Sequence, residues 1–233
     1  MSITKDTTIA DIVSKDYKTS EVFSKYKIDF CCHGHIPLGK ACLDNNISFE
    51  NIVKEIDDLK NLPSSNSLDL TTWPLSLIID FVEKKHHSYI DDMTPHILMY
   101  LEKIAKVHGE NHKELLEVFE IFKKSSIALN PHMREEENKL FPIIKAIEAK
   151  TASKEDILLV PSLIKQKVKE HDIEGENYRR LLEITNHYEV PADGCNTYKV
   201  AYDMLHEFHE DLLFHIHIEN NILFPKVLKM IGE

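Results

Sequence analysis

Two stretches of the chain repeat one pattern, and that repeat restricts the fold more than any other feature. His132-Met-Arg-Glu-Glu136-Glu-Asn-Lys-Leu-Phe141-Pro142 and His215-Ile-His-Ile-Glu219-Asn-Asn-Ile-Leu-Phe224-Pro225 each set an imidazole four residues before a carboxylate and close on Leu-Phe-Pro. On a helix, positions i and i+4 are turned only about 40° from one another. Each copy therefore offers one nitrogen and one oxygen on one face. Asn138 and Asn221 recur in step, so the two segments play equivalent parts in a helical bundle, and their paired donors raise the question of a bound metal, then of a second one.

Composition agrees. The 233 residues are 42% hydrophobic with only six Gly, which fits a mostly helical protein of one or two domains with a real core. A formal charge of −11 opposes broad binding to nucleic acid or to an anionic membrane surface. The start, Met-Ser-Ile-Thr-Lys-Asp, has no apolar secretory segment, and no apolar run approaches the roughly 20 residues that span a bilayer. A cytoplasmic location is expected. Of four Cys, Cys31 and Cys32 are adjacent, a usage that points to thiols or metal ligands rather than a disulfide framework.

Turn and linker residues near 61–72 divide the chain. The expected domains are a small helical one over residues 1–62, a linker over 63–72, and a larger bundle over 73–233. In the small domain Ile9, Ile12 and Val13, then Val22, Phe23 and Tyr26, then Phe49, Ile52, Val53, Ile56 and Leu59 recur at helical spacing, and Ser48 is placed to cap the last helix. The larger part reads as long periodic stretches: Leu75 to Met93, Pro95 to Ser125, Ile127 to Ala149 with a further helix from Leu163 to Asn186, and Thr197 to Met230. Pro95 stands where it can open a helix, Pro131, Pro142 and Pro225 where they kink one, and residues 186–196 form a long connection. An antiparallel four-helix bundle fits, and such bundles build metal sites from inward side chains.

Further donors follow from facing. His108 shares a stripe with Leu101, Ile104 and Leu115, and His171 with Ile164, Val168 and Tyr178. One such His, taken alone, is best explained as a core histidine held by a hydrogen bond. Five imidazoles and two carboxylates turned into one bundle are not, because each ionised group would cost several kcal/mol to bury against a total stability of roughly 5–15 kcal/mol. His86 and His87 lie about 100° apart on a helix, so one of them faces the centre; periodicity with Ile79, Val82 and Met93 favours His86. His96, His112 and His187 lack a partner carboxylate at bundle spacing, His206, His209 and His217 point away from the face of His215, and His206 with Glu210 reads as a solvated pair. A donor set rich in nitrogen, with carboxylate and without thiolate, suits two six-coordinate iron ions better than zinc, magnesium or calcium. With both Glu bridging, the protein supplies about nine of the roughly twelve bonds two such ions take, and a solvent-derived oxygen bridge leaves one position open.

The His-x-x-x-Glu and Leu-Phe-Pro signatures, the His86-His87 pair followed by Pro95, Val107-His108 and Glu170-His171-Asp172 resemble the hemerythrin-like di-iron proteins for repair of iron centres. Asp29-Phe30-Cys31-Cys32-His33-Gly34 with Ala41-Cys42 is similar to that family's small domain. The resemblance implies an all-α fold, a hemerythrin-like four-helix bundle with a small N-terminal helical domain. It implies an oxo- or hydroxo-bridged pair of non-haem iron ions on His87, His108, His132, Glu136, His171, His215 and Glu219, and so favours His87 over His86. Functionally it implies restoration of iron-sulfur clusters damaged by nitric oxide or peroxide, through donation of iron to damaged iron-sulfur proteins. Neutral imidazoles hold ferrous iron less firmly than thiolates would, which makes release feasible. Cys31 and Cys32 would receive iron, pass electrons or dock on the client; His33 and His35 are less expected in the family's pattern and would add metal affinity beside them. Two alternatives are a di-iron enzyme reducing nitric oxide or peroxide and a sensor binding oxygen or nitric oxide. The resemblance leaves catalytic turnover open, and the oligomer too, with a homodimer among the options.

Overall fold

The computed structural model describes residues 3–60 and 69–233. Most of the expected linker, at 61–68, lies outside the described residues. Among the described residues all regular elements are helical: α1 Ile9–Val13, α2 Ser20–Lys25, α3 Leu38–Asp44, α4 Phe49–Lys60, α5 Leu75–Phe81, α6 Ser88–His108, α7 Glu114–Glu135, α8 Phe141–Glu148, α9 Lys154–Ile184, α10 Asn196–Ile218 and α11 Phe224–Ile231. The fold is thus all-α, a helical bundle with a small N-terminal helical domain. No described helix is long and apolar enough to cross a membrane.

Backbone contacts divide the chain into two compact units, residues 1–78 with 214–233, and residues 79–213. In the first, Ile9, Ile12, Val13, Val22, Phe23, Leu38, Ile52 and Ile56 are buried, as their helical spacing requires. The caps are local. Thr8 Oγ1 accepts the Asp11 N–H at 3.1 Å, and Ser48 Oγ accepts the Asn51 N–H at 3.3 Å, each satisfying a donor left over at a helix start.

In the second unit, α6, α7, α9 and the first part of α10 pack around aromatic rings. Phe208 of α10 meets Phe122 of α7 edge-on at 5.2 Å, stacks on Tyr178 of α9 at 6.1 Å and lies 6.1 Å from Tyr89 of α6. The expected break before Pro95 does not occur. Pro95 sits inside α6, because Ile90, Ile97, Leu101 and Ile104 keep one buried stripe across it, and packing outweighs the single hydrogen bond that proline removes. Likewise α7 runs unbroken through Ser125, Ile127 and Pro131, and α9 starts well before Leu163, at Lys154, and carries Pro161 inside it.

Three turns depart from the ordinary helical ladder. At Val82–His87, Glu136–Leu140 and Glu219–Leu223 the N–H groups of Ser88, Phe141 and Phe224 reach back five residues, to the carbonyls of Glu83, Glu136 and Glu219. Such widened turns are frequent at functional sites. Pro142 and Pro225 follow two of them and have no N–H with which to close a normal turn.

Candidate metal centre

Each widened turn carries candidate ligands. Within residues 79–213, His87 ends the first, Glu136 begins the second one turn after His132 of α7, and His171 comes from the middle of α9. All four side chains are buried, Glu136 completely. Glu136 Oε2 lies 3.3 Å from His132 Nε2 and 3.6 Å from His87 Nε2, and the Nε2 atoms of His132 and His171 are 3.2 Å apart. One donor atom each from His132, Glu136 and His171 falls within 4.8 Å of the others. Within residues 214–233, His215 Nε2 stands 3.2 Å from Glu219 Oε1, and both residues are buried.

Carboxylates hold the outward ring nitrogens. His87 Nδ1–H donates to Glu137 Oε1 at 2.9 Å and His132 Nδ1–H donates to Glu170 Oε2 at 2.7 Å. A carboxylate can only accept, so the proton is fixed on Nδ1 and the Nε2 lone pair is aimed inward. Cations hold each carboxylate in turn. Arg134 bridges Glu137 and Asp91, and buried Lys167 bonds Glu170 at 3.0 Å and Glu135 at 2.9 Å. Burial opposes ionisation of Glu170, but hydrogen bonds from Gln166, Lys167 and His132 outweigh it and hold its carboxyl down to about 2. A cleft of about 340 Å³ lined by Leu129, His132, Glu135, Lys167 and Glu170 reaches His132.

Does this arrangement fit a cation? Neither oxygen of Glu136 accepts a hydrogen bond among the described residues, although both are buried. A lone buried carboxylate facing imidazole lone pairs would be destabilising by several kcal/mol. A positive ion relieves both the desolvation and the lone-pair repulsion. Two ligand nitrogens at about 2.1 Å from one ion and at right angles to it stand about 3 Å apart, close to the His132–His171 spacing. Imidazole with carboxylate selects a first-row transition ion over calcium or magnesium.

The other sequence-predicted residues are placed as follows. Of the adjacent pair, His87 joins Glu136, whereas His86 is turned to Asp211, its Nδ1–H donating to Oδ2 at 2.9 Å. The widened turn shifts the face on which this pair lies, which the regular periodicity behind His86 could not register. His108 is not brought to the cluster. It ends the continuous helix that starts just after His87, and 21 residues at about 1.5 Å each put it roughly 30 Å along the axis; its Nε2 lies 3.2 Å from Cys195 Sγ instead. His112, expected to lack a partner carboxylate at bundle spacing, meets Asp193 of the connecting segment at 3.0 Å. Glu137 and Glu170, next to Glu136 and His171 in the sequence, are the carboxylates that hold His87 and His132.

The cysteine pair is built by Asp29, whose Oδ1 accepts the N–H groups of Cys31 at 3.1 Å and Cys32 at 2.9 Å. The two sulfurs are 3.6 Å apart, as thiols, and Asp29, Cys31 and Cys32 form a further group able to hold a cation. The hydrogen bond with Cys32, reinforced by burial, pushes the Cys31 thiol well up. Asn221 Nδ2 donates to the Cys31 carbonyl at 2.9 Å and the Phe30 carbonyl at 3.3 Å. Gly34 permits this approach, since a β-carbon there would stand 2.7 Å from Asn221 Oδ1 and from the Phe30 carbonyl oxygen.

Comparison with known proteins adds independent findings. Residues 79–227 match the family model described as the hemerythrin HHE cation binding domain, and residues 5–60 match a domain of unknown function (DUF542). A probable iron-sulfur cluster repair protein of Haemophilus influenzae is 32% identical, over 90% of this chain and 91% of its own length. The iron-sulfur cluster repair protein ScdA of Staphylococcus haemolyticus is 27% identical over 96% of this chain and 99% of its own. YtfE of Yersinia pseudotuberculosis, also named an iron-sulfur cluster repair protein, is 29% identical over 91% and 92%.

Proposed function

The chain belongs to the hemerythrin HHE cation-binding family, alongside relatives named iron-sulfur cluster repair proteins, and from that premise we propose that it restores damaged iron-sulfur clusters by donating iron from a di-iron centre. The observation that carries this reading is Glu136, a fully buried carboxylate with no hydrogen-bond donor among the described residues and with the Nε2 atoms of His132 and His87 turned to it. In this proposal His87, His132, His171, His215, Glu136 and Glu219 would hold the two ions. The matched family domain spans both the first copy of the repeat and the second, which supports joining the two half-sites. Bound iron would supply redox chemistry and Lewis acidity.

The protein's own groups then have distinct tasks. Glu137 and Glu170 fix the tautomer and orientation of the imidazoles, and such outer partners typically account for a 10–100-fold change in metal affinity. Lys167 and Arg134 balance those carboxylates. Histidine and carboxylate donors hold ferrous iron less tightly than thiolates do, which suits a site that gives iron up. Cys31 and Cys32 belong to the same compact unit as His215 and Glu219, and the Cys31 carbonyl is bonded by Asn221, two residues beyond Glu219. That neighbourhood supports a role for the thiol pair in receiving iron or docking the client. The functional division follows residues 1–62 for the thiol domain, 63–72 for the connection and 73–233 for the metal bundle. The reading places the protein in the cytoplasm, with iron-sulfur proteins damaged by nitric oxide or peroxide as partners; it admits a homodimer without requiring one.

The test is transfer. Protein loaded anaerobically with isotopically labelled iron is mixed with an aconitase-type cluster enzyme inactivated by nitric oxide. Label moving into the enzyme as its activity returns is the expected result, with Cys31→Ala/Cys32→Ala retaining its own iron but transferring poorly. Steady consumption of nitric oxide with all label retained would overturn donation.

A further inference from the structure

A second chemical cluster lies in the unit formed by residues 79–213, apart from the metal ligands. Cys195 is exposed and stands immediately before α10, with its carbonyl accepting the Lys199 N–H at 3.1 Å, which makes it the N-cap of that 23-residue helix. His108 Nε2 is 3.2 Å from the Cys195 sulfur. His108 is itself positioned. Its ring meets Tyr198 edge-on at 5.5 Å, Tyr198 also meets His112 at 5.8 Å, and His112 is anchored by Asp193 at 3.0 Å and Glu114 at 3.2 Å. A thiol at a helix N-terminus with an imidazole in hydrogen-bond reach is the arrangement that activates cysteine nucleophiles.

We propose that Cys195 is a modification site, a thiolate with His108 as its base that exchanges with small-molecule disulfides to form a mixed disulfide. His108 takes the thiol proton. The sulfur then attacks one sulfur of the incoming disulfide, a new S–S bond forms, the old one breaks, and its electron pair leaves on the departing thiolate, which is protonated from solvent. No further oxidant enters the balance. Cys195 also differs from two of the other thiols: Cys31 and Cys42 are buried with their thiols pushed up, Cys31 by Cys32 and by burial, Cys42 by burial. Cys195 is held down to about 7, first by His108 and then by the Tyr198 and Thr197 N–H groups. The titratable groups that surround it are His108 on α6, His112 before α7, Glu114 at its start, Asp193 in the connection and Tyr198 on α10.

The experiment treats the full-length reduced protein with oxidised glutathione and follows intact mass, peptide maps and thiolate absorbance against pH. A first adduct on Cys195, absent from Cys195→Ser, and a titration midpoint near 7 are expected. In His108→Gln the midpoint should rise toward the ordinary value of about 8.5. At pH 7 that loses about sixteen-fold in thiolate, but the more basic sulfur regains about five-fold in nucleophilicity, so the rate falls about three-fold. First modification at Cys32, a wild-type midpoint above about 8, or a His108→Gln variant with unchanged midpoint and rate would overturn the proposal.

Discussion

The two His-x-x-x-Glu turns share their local geometry and differ in what surrounds it. In the first, Arg134 stands between the ligands and bridges Glu137 and Asp91, Glu137 holds His87, and the Asn138 amide folds back onto its own helix to donate to the Arg134 carbonyl at 2.7 Å. In the second, the equivalent residues are His217, Asn220 and Asn221. His217 is buried, pushed down to about 4 by burial, and its Nε2 is 3.2 Å from Ser14 Oγ. Asn220 and Asn221 donate to the Cys31 carbonyl at 3.4 and 2.9 Å. Where one copy surrounds its ligands with charge, the other uses the same positions to fasten a cysteine loop. A duplicated metal turn therefore carries two jobs, and the residues between and after the ligands decide which.

The largest expected effect tests whether the copies are equal as ligands. Glu136→Gln and Glu219→Gln should each drop bound iron from about two ions per chain to less than one, measured by metal analysis. Without iron the same Glu136→Gln protein should unfold no earlier, and up to about 1–4 kcal/mol later, because an uncompensated buried charge has gone; early unfolding of the iron-free variant would mean the carboxylate is structural. A smaller effect separates the outer groups. Glu170→Gln should weaken iron binding about 10–100-fold in a chelator competition, whereas Asn220→Ala should leave it unchanged. Equal weakening by both would erase the distinction drawn between the copies.

The smallest effects concern the paired asparagines. Asn221→Ala removes a donor from two carbonyls of the cysteine loop and should cost about 1–3 kcal/mol in urea unfolding, while Asn138→Ala, on an exposed turn, should cost about 0.5–1 kcal/mol. The reverse order would show that the second copy does not anchor the loop.

Much of this was readable from spacing. The i, i+4 pairs, the stripes of the small domain and the pairing of His171 with α9's buried face depend on local periodicity, and periodicity survives folding. What was not readable depends on other helices. His108 lies on an inward stripe, but at a helix end that stripe faces a connecting segment, and Cys195 is 87 residues distant in sequence. The choice between His86 and His87 turns on one widened turn that a regular 3.6-residue wheel cannot represent. Glu137 and Glu170 look like surface charge in one dimension because their partners, His87 and His132, are 50 and 38 residues away. Gly34 is a turn residue in sequence; the Phe30 carbonyl and Asn221 pressing against it show why a side chain is refused.

The proposed pair of iron ions is shared by both copies of the repeat. Mössbauer spectra of protein loaded anaerobically with labelled ferrous iron, together with its metal content, test it most directly. The account predicts about two high-spin iron ions per chain in nitrogen- and oxygen-rich sites, with both lost together when either Glu136 or Glu219 is replaced. One ion per chain, or two that persist in the Glu136→Gln/Glu219→Gln double variant, would contradict it.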